Sequence, residues 1–226
     1  MDRRLVDVCQ AGNIEALYAL LDDEPNILNF IDDIPFTRTP LHLAVLAQKP
    51  VFAKEIAVLR PSFITKIDRF GYNPVHLAAE NGELEMVRSL LEKLGPGKEI
   101  SKGKENRTPL HFAVISGKID VVKFLVKCYP DCIMDTTTRH ETVLHLAVKN
   151  KQLGVFLVLL KHLKLVVSDV VFNDLLNCKD EEGNTVFDLA TIMKQQQMVE
   201  ALLSSCTNSA GILGVLALPS AYNRAN

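Results

Sequence analysis

Tryptophan is absent from this 226-residue chain, and aromatic residues make up only 6% of it. A core without them must rest on Leu, Val, Ile and Ala, which suits short, closely packed helices. Neither sign of charge is in surplus: 25 Lys and Arg stand against 27 Asp and Glu, a formal net charge of −2. That leaves no nucleic-acid-type excess of basic residues and excludes nucleic acid as the expected partner. The five cysteines, Cys9, Cys128, Cys132, Cys178 and Cys206, are an odd and scattered set. No apolar leader follows Met1-Asp-Arg-Arg4, so reduced thiols in a cytosolic or nuclear compartment are expected. No run reaches the roughly 18–20 apolar residues of a membrane-spanning helix. The nearest, Ala210–Leu218, is too short, and a soluble chain is expected. A glycine-rich phosphate loop, a nucleophile elbow and a His-Glu-x-x-His pair are all missing. With no nucleophile, base and orienting group together, neither enzyme activity nor a small-molecule substrate, cofactor or metal is expected.

What the chain does contain is repetition. Thr39-Pro-Leu-His-Leu-Ala44, Asn73-Pro-Val-His-Leu-Ala78, Thr108-Pro-Leu-His-Phe-Ala113, Thr142-Val-Leu-His-Leu-Ala147 and Thr185-Val-Phe-Asp-Leu-Ala190 are near copies. Their first positions, 39, 73, 108, 142 and 185, lie 34, 35, 34 and 43 residues apart. A period in this range signals a stacked array in which each unit packs on its neighbours.

One unit can be read from local chemistry. Asp68–Tyr72 is a turn in which Gly71 is free to take positive φ. Asn73 suits a helix N-cap, and Pro74 at the first helical position misses no amide hydrogen. Val75, Leu77, Ala78 and Ala79 make a short helix with a small-residue face. Asn81-Gly82 breaks the chain, and Leu84, Val87, Leu90 and Leu91 give a second helix one buried face. Gly117 repeats the break, Lys151 takes that place in the next unit, and Gly12 marks a degenerate first unit. The expectation is an all-α solenoid over 1–206, with units at about 1–33, 34–67, 68–102, 103–136, 137–179 and 180–206, then a tail at 207–226. The 43-residue spacing demands an insert between Lys161 and Cys178. Its segment Leu163–Phe172 is apolar enough to lengthen a helix or lie against the stack.

The hexapeptides, the Asp-x-x-Gly-x-Thr lead-in at Asp180–Thr185 and the Gly-to-Leu-Leu spacing closely resemble the ankyrin repeat. Within that family, Leu28-Asn-Phe-Ile-Asp-Asp33, His145-Leu-Ala-Val-Lys-Asn150 and Lys179–Thr185 resemble plant members with a C-terminal PGG-type membrane domain. Those proteins are associated with immune and stress signalling; a version lacking the membrane domain is expected here. The resemblance implies paired antiparallel helices with projecting β-turn fingers, and recognition of a protein partner by the concave face of fingers and first helices. The partner-binding residues it implies are Phe36, Arg38, Arg69, Phe70, Tyr72, Arg107 and Arg139. Lys104, Glu105, Thr138, Glu141, Glu181, Glu182 and Asn184 lie at related finger positions, and Glu80, Ile115 and Lys149 on the first helices. The expected role is a cytoplasmic interaction module in plant defence or stress signalling. The alternative is a membrane-associated regulator, attached through residues near Ile212–Leu218 or through a longer form.

His42, His76, His111 and His145 invite a metal reading. One repeat apart, they would sit about 10 Å from one another, the spacing of packed helices. Zinc ligands converge to within about 2.1 Å of one ion, so structural hydrogen bonding of the turns is expected instead. Asp188 at the same phase fits, because it too can accept from a turn donor. Cys128-Tyr-Pro-Asp-Cys132 is expected to be an ordinary thiol pair. Phe70 and Tyr72 could serve either packing on the next finger or a partner surface.

Overall fold

The computed structural model describes residues 2–95 and 101–207, with side chains through 205. Within these residues are fourteen α-helices and no strand. Tertiary contacts group into two compact units, Met1–Ala113 and Val114–Asn226.

The first unit holds α1 (Arg3–Ala11), α2 (Ile14–Asp23), α3 (Ile27–Asp33), α4 (Pro40–Leu46), α5 (Pro50–Leu59), α6 (Pro74–Asn81), α7 (Leu84–Leu94) and the start of α8 (Pro109–Ile115). Here α4 packs between α1 and α6, and α5 packs on α7, so first and second helices form separate rows. Ala44, Ala78, Ala79 and Ala113 are fully buried, and their small size permits the close approach of neighbouring helices. The helix α3 was not apparent in the sequence. It has seven residues, and only Ile27, Leu28 and Ile31 mark its buried side.

The second unit holds α9 (Ile119–Cys128), α10 (Val143–Lys149), α11 (Leu153–Val166), α12 (Asp169–Asn177), α13 (Val186–Ile192) and α14 (Gln196–Thr207). The first helices α10 and α13 pack together, as do the second helices α9, α11 and α14 in sequence. The insert does both things its composition allows. It extends α11 to Val166, then Ser168 caps α12, which buries Phe172, Leu175 and Leu176.

Four of the five hexapeptides, those at Thr39, Asn73, Thr142 and Thr185, close the same reciprocal cap. In the second copy, Asn73 Oδ1 accepts the His76 amide at 2.9 Å, and His76 Nδ1 accepts the Asn73 amide at 3.1 Å. Thr39 with His42 and Thr142 with His145 make the same exchange, which satisfies helix donors that would otherwise be orphaned. In two copies the far side of the ring ties repeats together. With Nδ1 accepting, Nε2–H of His42 donates to the Tyr72 carbonyl at 2.9 Å, and that of His145 to the Asn184 carbonyl at 3.2 Å. Asp188 keeps only the cap, accepting from the Thr185 amide and hydroxyl at 2.9 and 2.7 Å.

The breaks between paired helices take left-handed backbone at Gly12, Gly82 and Gly117, as the spacing anticipates. Lys151 adopts it too, with φ 56°, and so do Gln48 and Lys194. A side chain in this region strains against its own carbonyl, so the surrounding packing holds these three in place.

Among the described residues, no cluster of three or more His, Cys, Asp or Glu is placed to hold a metal ion. No helix there is long and apolar enough to cross a membrane, and the 207–226 tail beyond Thr207, with Ile212–Leu218, lies outside the described residues. The Cys9 and Cys132 thiols are buried, which pushes both up to about 12, while Cys128 is exposed.

Leu110 is 1% exposed in the first helix of its repeat. Leu110→Ala is expected to cost about 2–5 kcal/mol, through lost transfer energy and the cavity left behind. Leu165, 75% exposed on α11, is the control: its change to Ala should stay within about 0.5 kcal/mol in urea unfolding.

Candidate partner-binding face

The finger at 68–72 is built by Asp68. Its Oδ1 accepts the amides of Phe70 and Tyr72 at 2.9 and 3.1 Å, and its own amide donates to the Tyr72 carbonyl at 2.8 Å. Gly71 closes the turn with φ +81°. A Cβ there would also come within 2.5 Å of the Lys104 Cβ, so the position requires glycine twice over. The tightness comes from the next finger, whose Lys104 amide donates to the Gly71 carbonyl at 3.0 Å.

This turn lifts Phe70 into solvent, 46% exposed, with cations on it. The Arg69 guanidinium lies 4.7 Å from the ring centroid and that of Arg38, from the preceding finger, 5.5 Å. Arg38 also reaches the buried Asp68 carboxylate at 3.4 Å. Arg38, Arg69 and Phe70 are therefore one preorganised cluster across two fingers. Phe36, two residues before Arg38, is 69% exposed and holds left-handed backbone, φ 51°. Such a backbone in a bulky aromatic is strained.

Tyr72 behaves differently. It is half-buried, and its ring packs 4.9 Å from that of Phe112. Burial, followed by the nearby Glu80 carboxylate, pushes its phenol upward. Arg107 is also half-buried and pairs with Glu105 at 2.7 Å. Both contribute more to the floor of the face than to its edge.

In the second unit, Thr137 takes the place of Asp68, accepting the Arg139 and Glu141 amides, each at 3.2 Å. Arg139 is exposed, but Glu181 lies 3.4 Å from it, and the Glu181 amide donates to the Arg139 carbonyl. Two positions expected on the surface turn inward. Glu141 is buried, and Lys149 reaches across to it at 2.9 Å and to Asp180 at 3.0 Å. The surface pattern of the repeat gave no sign of this ion triad. The available signal was the coincidence of two acidic finger positions with a lysine at the end of the first helix between them.

A family model described as ankyrin repeats (3 copies) matches residues 5–102, 52–137 and 94–174. The ankyrin repeat-containing protein BDA1 of Arabidopsis thaliana is 41% identical over 71 residues, covering 31% of this chain and 17% of that protein. The ANK repeat-containing protein nipk-1 of Caenorhabditis elegans is 28% identical over 218 residues, covering 87% of this chain and 34% of that protein. The chain thus spans about a third of the length of one of these relatives and less of the other. Among solved structures, the ankyrin repeat domain of Bcl-3 matches with a TM-score of 0.74 at 25% identity, covering 90% of this chain and 86% of that one.

Proposed function

Since the chain belongs to the ankyrin-repeat family, whose repeats serve as protein–protein interaction modules, we propose that it is a non-catalytic adaptor or regulator in plant defence or stress signalling, acting in the cytoplasm. The plant assignment draws on the phrases shared with plant members and on the 41% identity to an Arabidopsis protein. Partner recognition falls to the finger and first-helix face, with Phe36, Arg38, Arg69 and Phe70 as anchors in the first unit, Tyr72 and Arg107 beneath them, and Arg139 in the second. Membrane contact would come through a longer form of the protein or through the partner.

The observation that carries this reading is the Arg38–Phe70–Arg69 cluster, exposed yet fixed by the Asp68 turn. Aromatic and arginine side chains dominate binding hot spots. A surface already held in place loses little entropy when it binds.

Partners identified by proximity labelling in plant cells provide the test. The triple variant Phe36→Ala, Arg69→Ala, Phe70→Ala is expected to keep its helical circular dichroism and urea midpoint. Its affinity for those purified partners should fall at least about a hundredfold, as for loss of two hot-spot anchors. Tyr72 and Arg107 are left intact because their packing would confound folding with binding. Unchanged affinity would remove this face from the assignment.

A further inference from the structure

We propose that the finger face of the first unit is built for an acidic protein segment: a stretch of partner chain carrying two or more Asp or Glu carboxylates beside an apolar residue. The proposal rests on the docking face described above and adds its chemistry.

Charge compensation points this way. Arg69 has no carboxylate partner among the described residues, and its guanidinium lies over the Phe70 ring, 4.7 Å from the centroid. The ring contact restrains the guanidinium, whose fork of N–H donors suits bidentate capture of a carboxylate. Arg38 meets a carboxylate that is already engaged, since Asp68 is 1% exposed and accepts two turn amides as well. The 3.4 Å contact leaves the rest of that guanidinium open. Lys104 is exposed, without an ion-pair partner among the described residues, and its backbone is bonded to Gly71 beside Phe70. Two guanidinium groups thus flank one exposed aromatic ring, and Lys104 adds a third cation on the adjoining finger.

The second unit is the internal control. There Arg139 is matched by Glu181, and Lys149 by Glu141 and Asp180. Within its turns at 137–141 and 180–184, no cation lacks a carboxylate partner among the described residues, and Lys179, just ahead of the second turn, is the exposed cation outside that pairing. An acidic segment complements the first unit alone, with Phe70 taking the apolar residue and the cations steering the approach. Nucleic-acid binding draws on neutralising many phosphates at once, for which three cations on a chain of net charge −2 are a poor match.

The test is selection of short random peptides on the immobilised 226-residue chain at low salt. Enriched peptides are expected to be rich in Asp and Glu around an aromatic or aliphatic residue. Binding of a fluorescein-labelled winner, read by anisotropy, should weaken about tenfold at high salt and about tenfold in each of Arg38→Ala and Arg69→Ala. Arg69→Glu should turn the selection toward Lys and Arg, a gain that misfolding cannot produce. Peptides without acidic enrichment that still depend on Phe70 would overturn the chemistry and leave the docking face standing. Acidic peptides indifferent to both arginine variants would overturn the location, and with it the face. An empty selection would overturn the proposal, as would equal binding to phosphatidylserine vesicles or to a thymidine oligonucleotide.

Discussion

Lys149→Met is expected to destabilise the protein by about 2–3 kcal/mol, below the roughly 3–5 for removing one partner of a fully buried ion pair because the Lys149 side chain is itself 27% exposed. The lysine crosses from the end of α10 to two carboxylates that water barely reaches: the Glu141 side chain is 5% exposed and that of Asp180 0%. Both have turn duties besides. Glu141 accepts the Thr137 hydroxyl at 3.0 Å, and Asp180 accepts the amides of Glu182 and Asn184. Burial works to lower the Lys149 pKa, but hydrogen bonds to Glu141 and Asp180 outweigh it and hold the ammonium above its ordinary value. Burial likewise acts to raise Asp180, and the Lys149 ammonium with the turn amides reverses that direction. Methionine keeps the aliphatic stem and removes only the charge. Two like charges then share one dry site, and the turns at 137–141 and 180–184 lose their common counter-ion. Urea unfolding measures the loss. Glu141→Gln with Asp180→Asn should restore most of it in the Lys149→Met background, because uncharged amides no longer repel. A loss below about 1 kcal/mol for Lys149→Met, the scale of an exposed pair, would show that the triad is hydrated in solution.

The second large effect is acid lability from the buried histidines. Burial lowers His42, His76 and His145, and His76 falls from 6.5 to about 4, only partly offset by the nearby backbone of Ser101 and Arg107. These rings must be neutral in the folded protein, because Nδ1 accepts the cap amide. A folded-state pKa below the unfolded value means that the unfolded chain takes up protons first as pH falls. Stability is therefore complete above about pH 6.5 and is lost progressively as pH drops through about 4. For His76, a shift from 6.5 to about 4 corresponds to roughly 3 kcal/mol at about 1.4 kcal/mol per pH unit. The urea midpoint should fall steeply across that window. Asp180, lowered from 3.8, contributes its own loss only below the window. His76→Gln, which can still cap through its side-chain amide, should be less stable at neutral pH but flatter between pH 7 and 4.5. An equally steep slope in that variant would place the titrating group elsewhere.

The repeat phase was fully legible in the sequence because its signals are local. A capping residue, a proline at the first helical position, the histidine three residues after the cap and a break six residues further on are all short-range choices. They carry over into the cap distances at Thr39, Asn73 and Thr142. Features that depend on contact between repeats were not legible. Tyr72 and Phe70 are two residues apart with similar side chains, yet one packs on Phe112 and the other is exposed. That difference is set by a residue forty positions away. Lys149 looked like a surface cation because a helix-end lysine usually is one. Only folding brings Asp180, thirty-one residues on, beneath it.

Asp188 has a consequence for assembly. A stacked repeat presents at its free side much the same surface that it hides at its other side, so a second molecule could in principle continue the series. Such head-to-tail contacts do not close on themselves and grow into filaments. Where His42 and His145 extend an N–H toward the next carbonyl, the Asp188 carboxylate offers only oxygen. A finger arriving in the usual register would meet oxygen with oxygen. The residue that keeps the helix cap thereby lacks the N–H that His42 and His145 send to the finger beyond them.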